Sequence, residues 1–227
     1  MKRFAYSGSL ALTLASIIAA VVFLFPVTAQ PQNPEWMNFT IKNTGLPDND
    51  VRALVIDAHG NTWIGTWGGG LVRFDGVNWT IANTGNSGIP SNDVTALAID
   101  PHGNIWVGTD YGLAKFDLVT WKVANTYNSV LPDNDVRALA TDAQGNIWIG
   151  TYWGGLAKFD GSSWTAYTRW NSGLPNDNIA ALTIGDPGGI SGLELGEVAW
   201  RSLTALTGRC ITPLTPGCWM TMSRLLP

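Results

Sequence analysis

One ten-residue stretch occurs three times in this chain, as DAHGNTWIGT at 57–66, DPHGNIWVGT at 100–109 and DAQGNIWIGT at 142–151. A chain built from near-copies of one unit folds as an array, in which each unit packs on the next and none is stable alone. The register holds beyond the ten residues. Trp63, Trp106 and Trp148 are 43 and 42 residues apart, and Phe74, Phe116 and Phe159 keep the same rhythm, as do Trp79, Trp121 and Trp164. Each unit opens on an aliphatic-Pro step, at Leu46-Pro47, Ile89-Pro90, Leu131-Pro132 and Leu174-Pro175.

Inside a unit, four short segments with near-alternating apolar residues read as strands rather than helices. In the third unit they are roughly Val136–Thr141, Ile147–Tyr152, Gly155–Phe159 and Trp164–Tyr167. Gly145-Asn146 falls in the first hairpin turn, where glycine takes positive φ without a Cβ clash. Links this short make neighbouring strands antiparallel. A four-stranded meander of about 40 residues is the size of one β-propeller blade. The expected fold class is therefore all-β. Complete blades are expected at 43–82, 83–124 and 125–167, and the start of a fourth at 168–189. Closing a propeller ring takes roughly four to eight blades, so the ring is expected to be incomplete, with exposed blade edges. Repeated Trp and Phe are expected to pack between blades, each worth about 2–3 kcal/mol.

The pattern Leu-Pro-x-x-x-Val-x-Ala-Leu-x-x-Asp-x-x-Gly-Asn-Ile-Trp-Ile-Gly-Thr-x-x-Gly-Gly-Leu-x-x-Phe-Asp runs from about Asn43 to Thr183. It resembles the two-component regulator propeller repeat. That resemblance implies an extracytoplasmic sensor propeller that acts by binding, often fused to a membrane-spanning histidine kinase. The same blades also occur in proteins without a kinase. The runner-up readings are a fragment of a lyase-like propeller enzyme, a protein-interaction scaffold, and a non-functional truncated product.

Composition supports tightly turned β-structure. There are 26 Gly and 12 Trp in 227 residues, with only 13% charged residues, which argues against disorder. A net charge of −4 argues against a nucleic-acid partner. Residues 1–29 read as an export signal: Lys2 and Arg3 precede an apolar run from Leu10 to Val27, and Val27-Thr28-Ala29 offers a small-residue cleavage site. The other reading is an uncleaved anchor, since the run approaches a bilayer-spanning length. Either places the chain in the periplasm or outside the cell, with a membrane contact only through an uncleaved segment. Residues 30–42 form a lead-in whose Trp36-x-x-Phe39-Thr40 resembles the last strand of a blade, a candidate closing strand.

The fourth unit starts well, at Asn171 to Leu182, and loses the pattern after Pro187. Back-translation suggests why. Codons for 190–208, read one base earlier, can encode NIWVGTWGGGLAKFDGTNW, a complete blade core. The expectation is a frameshift near Asp186–Gly189 and a tail over 190–227 that packs poorly. Cys210 and Cys218 lie in that tail. An exported chain permits their disulfide, but a displaced frame leaves them without disulfide or metal meaning.

Candidate chemistry is thin. His59 and His102 are replaced by Gln144 in the third copy, so they read as exposed turn residues. The turns Asp48-Asn-Asp50, Ser91-Asn-Asp93, Asp133-Asn-Asp135 and Asn176-Asp-Asn178 lack the spacing of a calcium loop and read as side-chain-to-backbone turns. Asp75, Asp117 and Asp160 recur in every blade, which argues for turns too. The Asp57-x-x-Gly60-x-x-Trp63 spacing is similar to the structural Asp-box of sialidase propellers, with one residue more between Asp and Gly. No catalytic set, cofactor loop or metal spacing stands out, and the blades show almost none of the asymmetric His, Glu or Arg an enzyme needs. Positions that differ between copies are the better binding candidates: Trp67, Asp110, Tyr111, Tyr152 and Trp153, beside glycines after each Gly-Thr. Aromatics there suit an unknown small molecule or a glycan; another propeller chain completing the ring is the other expected partner.

Overall fold

The structure is a computed structural model that describes residues 37–185, 189–195, 198–204, 209–211 and 220–221. All the architecture below lies in the unit Phe39–Pro227. The export signal, Trp36 and Cys218 fall outside the described residues, as does the side chain of Cys210.

Every described element is a strand. Blade 1 is β1 (Val51–Ile56), β2 (Thr62–Thr66), β3 (Gly70–Phe74) and β4 (Trp79–Ala82). Blade 2 is β5 (Val94–Ile99), β6 (Ile105–Thr109), β7 (Gly112–Phe116) and β8 (Trp121–Ala124). Blade 3 is β9 (Val136–Thr141), β10 (Ile147–Thr151), β11 (Leu156–Phe159) and β12 (Trp164–Tyr167). Each is an antiparallel meander in chain order, as the sequence predicts. The first strands β1, β5, β9 and β13 (Ile179–Gly185) neighbour one another in blade order. The opening aliphatic residues Leu46, Ile89, Leu131 and Leu174 are at most 7% exposed, so the aliphatic-Pro step anchors each blade.

The DxxGN turn is held by one carboxylate. Asp57 Oδ1 accepts the backbone N–H groups of His59 and Asn61, both at 2.9 Å, and Oδ2 accepts Asn61 Nδ2 at 2.8 Å and Trp63 Nε1 at 3.0 Å. Asp100 and Asp142 repeat the set, with Trp106 and Trp148 donating at 3.0 and 2.9 Å. Burial alone would raise the Asp57 pKa, but the hydrogen bonds from Asn61, Trp63 and His59 bring it down to about 2. The motif is thus a local device that aims the repeated tryptophan. Only the backbone of His59 and His102 takes part, which explains the interchange with Gln144.

Neighbouring blades meet on glycine. Val94 rests on Gly65, Val136 on Gly108 and Ile179 on Gly150, where an added Cβ would lie 2.5, 2.6 and 2.6 Å from the facing methyl. Trp63 meets Phe116 across the first seam at 6.2 Å between centroids, and Trp106 meets Phe159 across the second at 5.8 Å. Trp79, Trp121 and Trp164 instead stack on Phe74, Phe116 and Phe159 inside their own blades, at 4.3, 4.4 and 4.7 Å. At the first two seams the first tryptophan of a unit thus reaches the phenylalanine of the next blade, and the second tryptophan of that blade braces the same phenylalanine.

The third-to-fourth-strand turn is again an Asp device. Asp75, Asp117 and Asp160 each accept two backbone N–H groups, at 2.6–3.0 Å. The next residue has positive φ: 95° at Gly76 and 98° at Gly161, but 70° at Leu118. A side chain there costs about 1–2 kcal/mol.

Two expectations meet the described residues only in part. The tail over 190–227 is expected to pack poorly. At its start β14 (Gly189–Leu195) pairs with β13, and Ile190 and Leu193 are buried at 6% and 1% exposure beside Leu156, Leu174 and Ile179, while the side chains from 194 onward lie outside the described residues. Two apolar residues suffice to cover the exposed edge of an apolar first strand, whatever their origin. The sheet continues through β15 (Val198–Thr204), β16 (Arg209–Ile211) and β17 (Met220–Thr221), so it has five strands rather than four. Second, the candidate closing strand begins outside the described residues, at Trp36, and residues 37–42 hold no strand. They do repeat the blade-to-blade turn: Asn43 Oδ1 accepts the Thr40 N–H at 2.8 Å, as Asn86, Asn128 and Asn171 do for Asn83, Asn125 and Thr168. Phe39 then reaches Phe74 and Trp79, at 6.5 and 6.3 Å.

Candidate functional site

Antiparallel pairing brings the start of each first strand, the end of each second strand and the start of each third strand to one end of the blade. The acidic turns lie there. Asp50, Asp93, Asp135 and Asn178 donate their backbone N–H groups to Asp48, Ser91, Asp133 and Asn176 side chains at 2.8–3.1 Å, the local role expected of them. The second-to-third-strand loop is clamped by a buried threonine: Thr66, Thr109 and Thr151 donate Oγ1–H to Gly70, Gly112 and Gly155 carbonyls, each at 2.8 Å.

All five predicted residues sit in these loops. The Trp67 N–H donates to the Asp50 carbonyl at 2.9 Å, and the Tyr152 N–H to the Asp135 carbonyl at 2.9 Å. Those bonds place each ring against an arginine of its own first strand. The Arg52 guanidinium lies 4.8 Å from the Trp67 centroid and Arg137 lies 4.7 Å from that of Tyr152. Each guanidinium is also forked onto a carboxylate. Arg52 donates Nε–H and Nη2–H to Asp50 at 2.6 and 2.8 Å, and Arg137 donates the same pair to Asp135 at 2.6 and 2.6 Å. The Arg52 hydrogen bond holds the Asp50 carboxyl below its usual range, and the Asp135 hydrogen bond raises the Arg137 pKa. The Arg52 charge acts on Arg137 in the opposite sense.

Blades 1 and 3 thus carry matching Asp–Arg–aromatic units, rigid and planar and open on one side. Blade 2, between them, has Thr95 in place of the arginine and Asp110 in place of the aromatic. Asp110 Oδ1 is buried without a hydrogen-bond partner. Tyr111 is 67% exposed and Trp153 55% exposed, the latter edge-on to Tyr152 at 4.9 Å. Arg52 and Arg137 correct the expectation of blades almost devoid of asymmetric arginine. The signal was in the chain: Arg, Thr, Arg and Ala follow Val51, Val94, Val136 and Ile179, a position that differs between copies.

The two-component regulator propeller model matches residues 45–68, 88–111 and 130–153, each match ending in the candidate loop. No curated protein matches the chain. Among solved structures, the extracellular domain of a hybrid two-component system from B. thetaiotaomicron is 25% identical, with TM-score 0.59 over 80% of this chain and 24% of that one. PorZ, a surface component of the type-IX secretion system of Porphyromonas gingivalis, is 20% identical, with TM-score 0.55 over 72% of this chain and 27% of that one. Virginiamycin B lyase from Staphylococcus aureus is 14% identical, with TM-score 0.52 over 75% of this chain and 61% of that one. The last two likenesses are of fold. The chain spans about a quarter of the two-component-system extracellular domain it matches. It carries three two-component regulator propeller repeats.

Proposed function

We propose that this chain is a ligand-binding, sensor-type propeller module that works outside the cytoplasm and catalyses no reaction itself. Its ligand seat is the loop end of blades 1 to 3, formed by Trp67, Asp110, Tyr111, Tyr152 and Trp153 with Arg52 and Arg137. The observation that carries the reading is the pair of Asp–Arg–aromatic units on blades 1 and 3. A flat polar ligand, such as a glycan ring, stacks on exposed aromatic faces and bonds to fixed guanidinium and carboxylate edges at once. The fold likeness to a sensor's extracellular domain supports this reading over an enzyme. The likeness to a lyase keeps a propeller-enzyme fragment as the second reading. Titrating the full chain with a panel of soluble oligosaccharides tests it. We expect a binder whose affinity falls at least about tenfold in Trp67→Ala or Trp153→Ala. Binding that neither variant changes, or product formation from any member of the panel, would sink it.

The displaced reading frame belongs to the same proposal. Gly65, Gly108 and Gly150 pair with Ala53, Ala96 and Ala138, and the residue paired with the matching Ala181 is Glu194. The shifted frame can encode glycine at that position. A glutamate where three seams need a Cβ-free residue supports a frameshift between Asp186 and Gly189. A gene sequence with no extra or missing base against intact copies from sister strains would remove that support.

A further inference from the structure

A groove of about 640 Å³ lies between blades 1 and 2, away from the aromatic loops, and none of the seat residues lines it. Its volume falls in the range of small-molecule sites. The floor is apolar, with Trp63, Leu71, Phe116 and Trp121 among its lining residues. Two lining residues carry formal charge, Asp57 and Arg73. The oxygens of Asp57 already accept four N–H groups of its own turn. Asp75, the acid that feels the Arg73 charge, also turns its oxygens to its own loop. Arg73 is less engaged. Nη2 donates to Asn61 Oδ1 at 3.0 Å, and the guanidinium lies 6.0 Å from the Trp63 centroid. Arg52, Arg137 and Arg169 each hold a carboxylate within ion-pair distance, whereas Arg73 has none among the described residues.

The repeat shows which features of this groove the blade itself does not require. At the position of Arg73 the later blades carry Lys115 and Lys158, compact cations without a planar fork. At the position of Leu118 the other blades carry Gly76 and Gly161. Leu118 takes the positive φ that glycine takes freely, and its side chain is 50% exposed and lines the groove. Neither the turn nor the core gains from leucine there. An apolar wall in the groove that Arg73 also lines is what it adds.

We propose that this groove is a second ligand site, for a compact planar carboxylate. The ligand's aromatic body lies against Trp63, Phe116, Trp121 and Leu118, and its carboxylate takes the free N–H edge of Arg73. The proposal is independent of the glycan seat. It is tested with 1-naphthoate titrated into the full chain, followed by calorimetry and by quenching of tryptophan emission. The expected Kd is on the order of 100 μM, with the uncharged 1-naphthamide at least about tenfold weaker. Arg73→Lys should weaken naphthoate about tenfold. Leu118→Gly should weaken it about threefold while leaving Tm unchanged or higher, because glycine relieves the backbone. Trp67→Ala should leave it unchanged, which separates this site from the first. No binding by about 5 mM, equal affinity for the amide, or full affinity in both Leu118→Gly and Arg73→Lys would overturn the proposal.

Discussion

The first strands of blades 1 and 2 have nearly the same sequence, VRALVI and VTALAI, and opposite surroundings. Val94 and Leu97 are 0% and 7% exposed, whereas the matching Val51 and Leu54 are 43% and 56% exposed. The last residue, Ile99, is half-buried where Ile56 is 64% exposed. The strand pattern is the same and so is the pairing to the second strand. What differs is the neighbour. β5 has Gly65 of the preceding blade against it, and β1 has no preceding blade among the described residues. In this array, the burial of a first strand is a property of the seam and not of the strand.

Cutting the same side chain from both strands gives the largest expected contrast. Leu97→Ala should cost about 3 kcal/mol in urea unfolding, and Leu54→Ala should stay within about 0.5 kcal/mol. Equal costs would mean that the face of blade 1 is covered in solution, and gel filtration would then show whether a second copy covers it.

Acid sharpens the contrast at the DxxGN turns. Asp57 and Asp100 are both held below the ordinary carboxyl value of 3.8, Asp57 at about 2. A carboxyl with a depressed folded pKa contributes stability that is fully present above its unfolded value and is lost as pH falls through the folded one. The urea midpoint should therefore drop between about pH 4 and pH 2. Asp57→Asn and Asp100→Asn should both flatten that drop. At pH 7 the Asp100 change should cost more, by roughly 1 kcal/mol, because Asp100 is 8% exposed and Asp57 is only half-buried. A steep acid transition surviving in both variants would move its origin elsewhere.

The smallest effect should come from the histidines. His59→Gln and His102→Gln copy Gln144 of blade 3 and keep the backbone donor to the turn aspartate. Each should shift stability by less than about 0.5 kcal/mol. A larger loss in His102→Gln alone would show that the seam reaches these turns.

Much of the candidate site was legible as positions and little of it as contacts. Trp67, Tyr152 and Trp153 stood out because the repeat changes there while its turns do not. Arg52 and Arg137 change in the same way, one position into the first strand. An arginine in a strand looks like an ordinary solvated residue until its aromatic partner, fifteen positions on, is seen beside it. Leu118 was equally visible, as a leucine at a glycine position, but its meaning needed the groove on the other side of the seam. The fourth unit ran the other way. The loss of the repeat pattern was plain, yet Ile190 and Leu193 still close over β13, because an exposed apolar edge accepts what alternating residues it is given.

The chain by itself determined the blade. Strand alternation, the carboxylate that captures its own turn and tryptophan within six residues, and the glycines of the loops all act over short stretches, so each copy carries its own instructions. Only the tertiary structure decided which copy of a residue is core and which is surface, and which arginine meets which ring. The first outcome depends on the neighbouring blade being in place and the second on the pairing of strands within a blade, and burial is a relation between surfaces that one stretch of sequence does not contain.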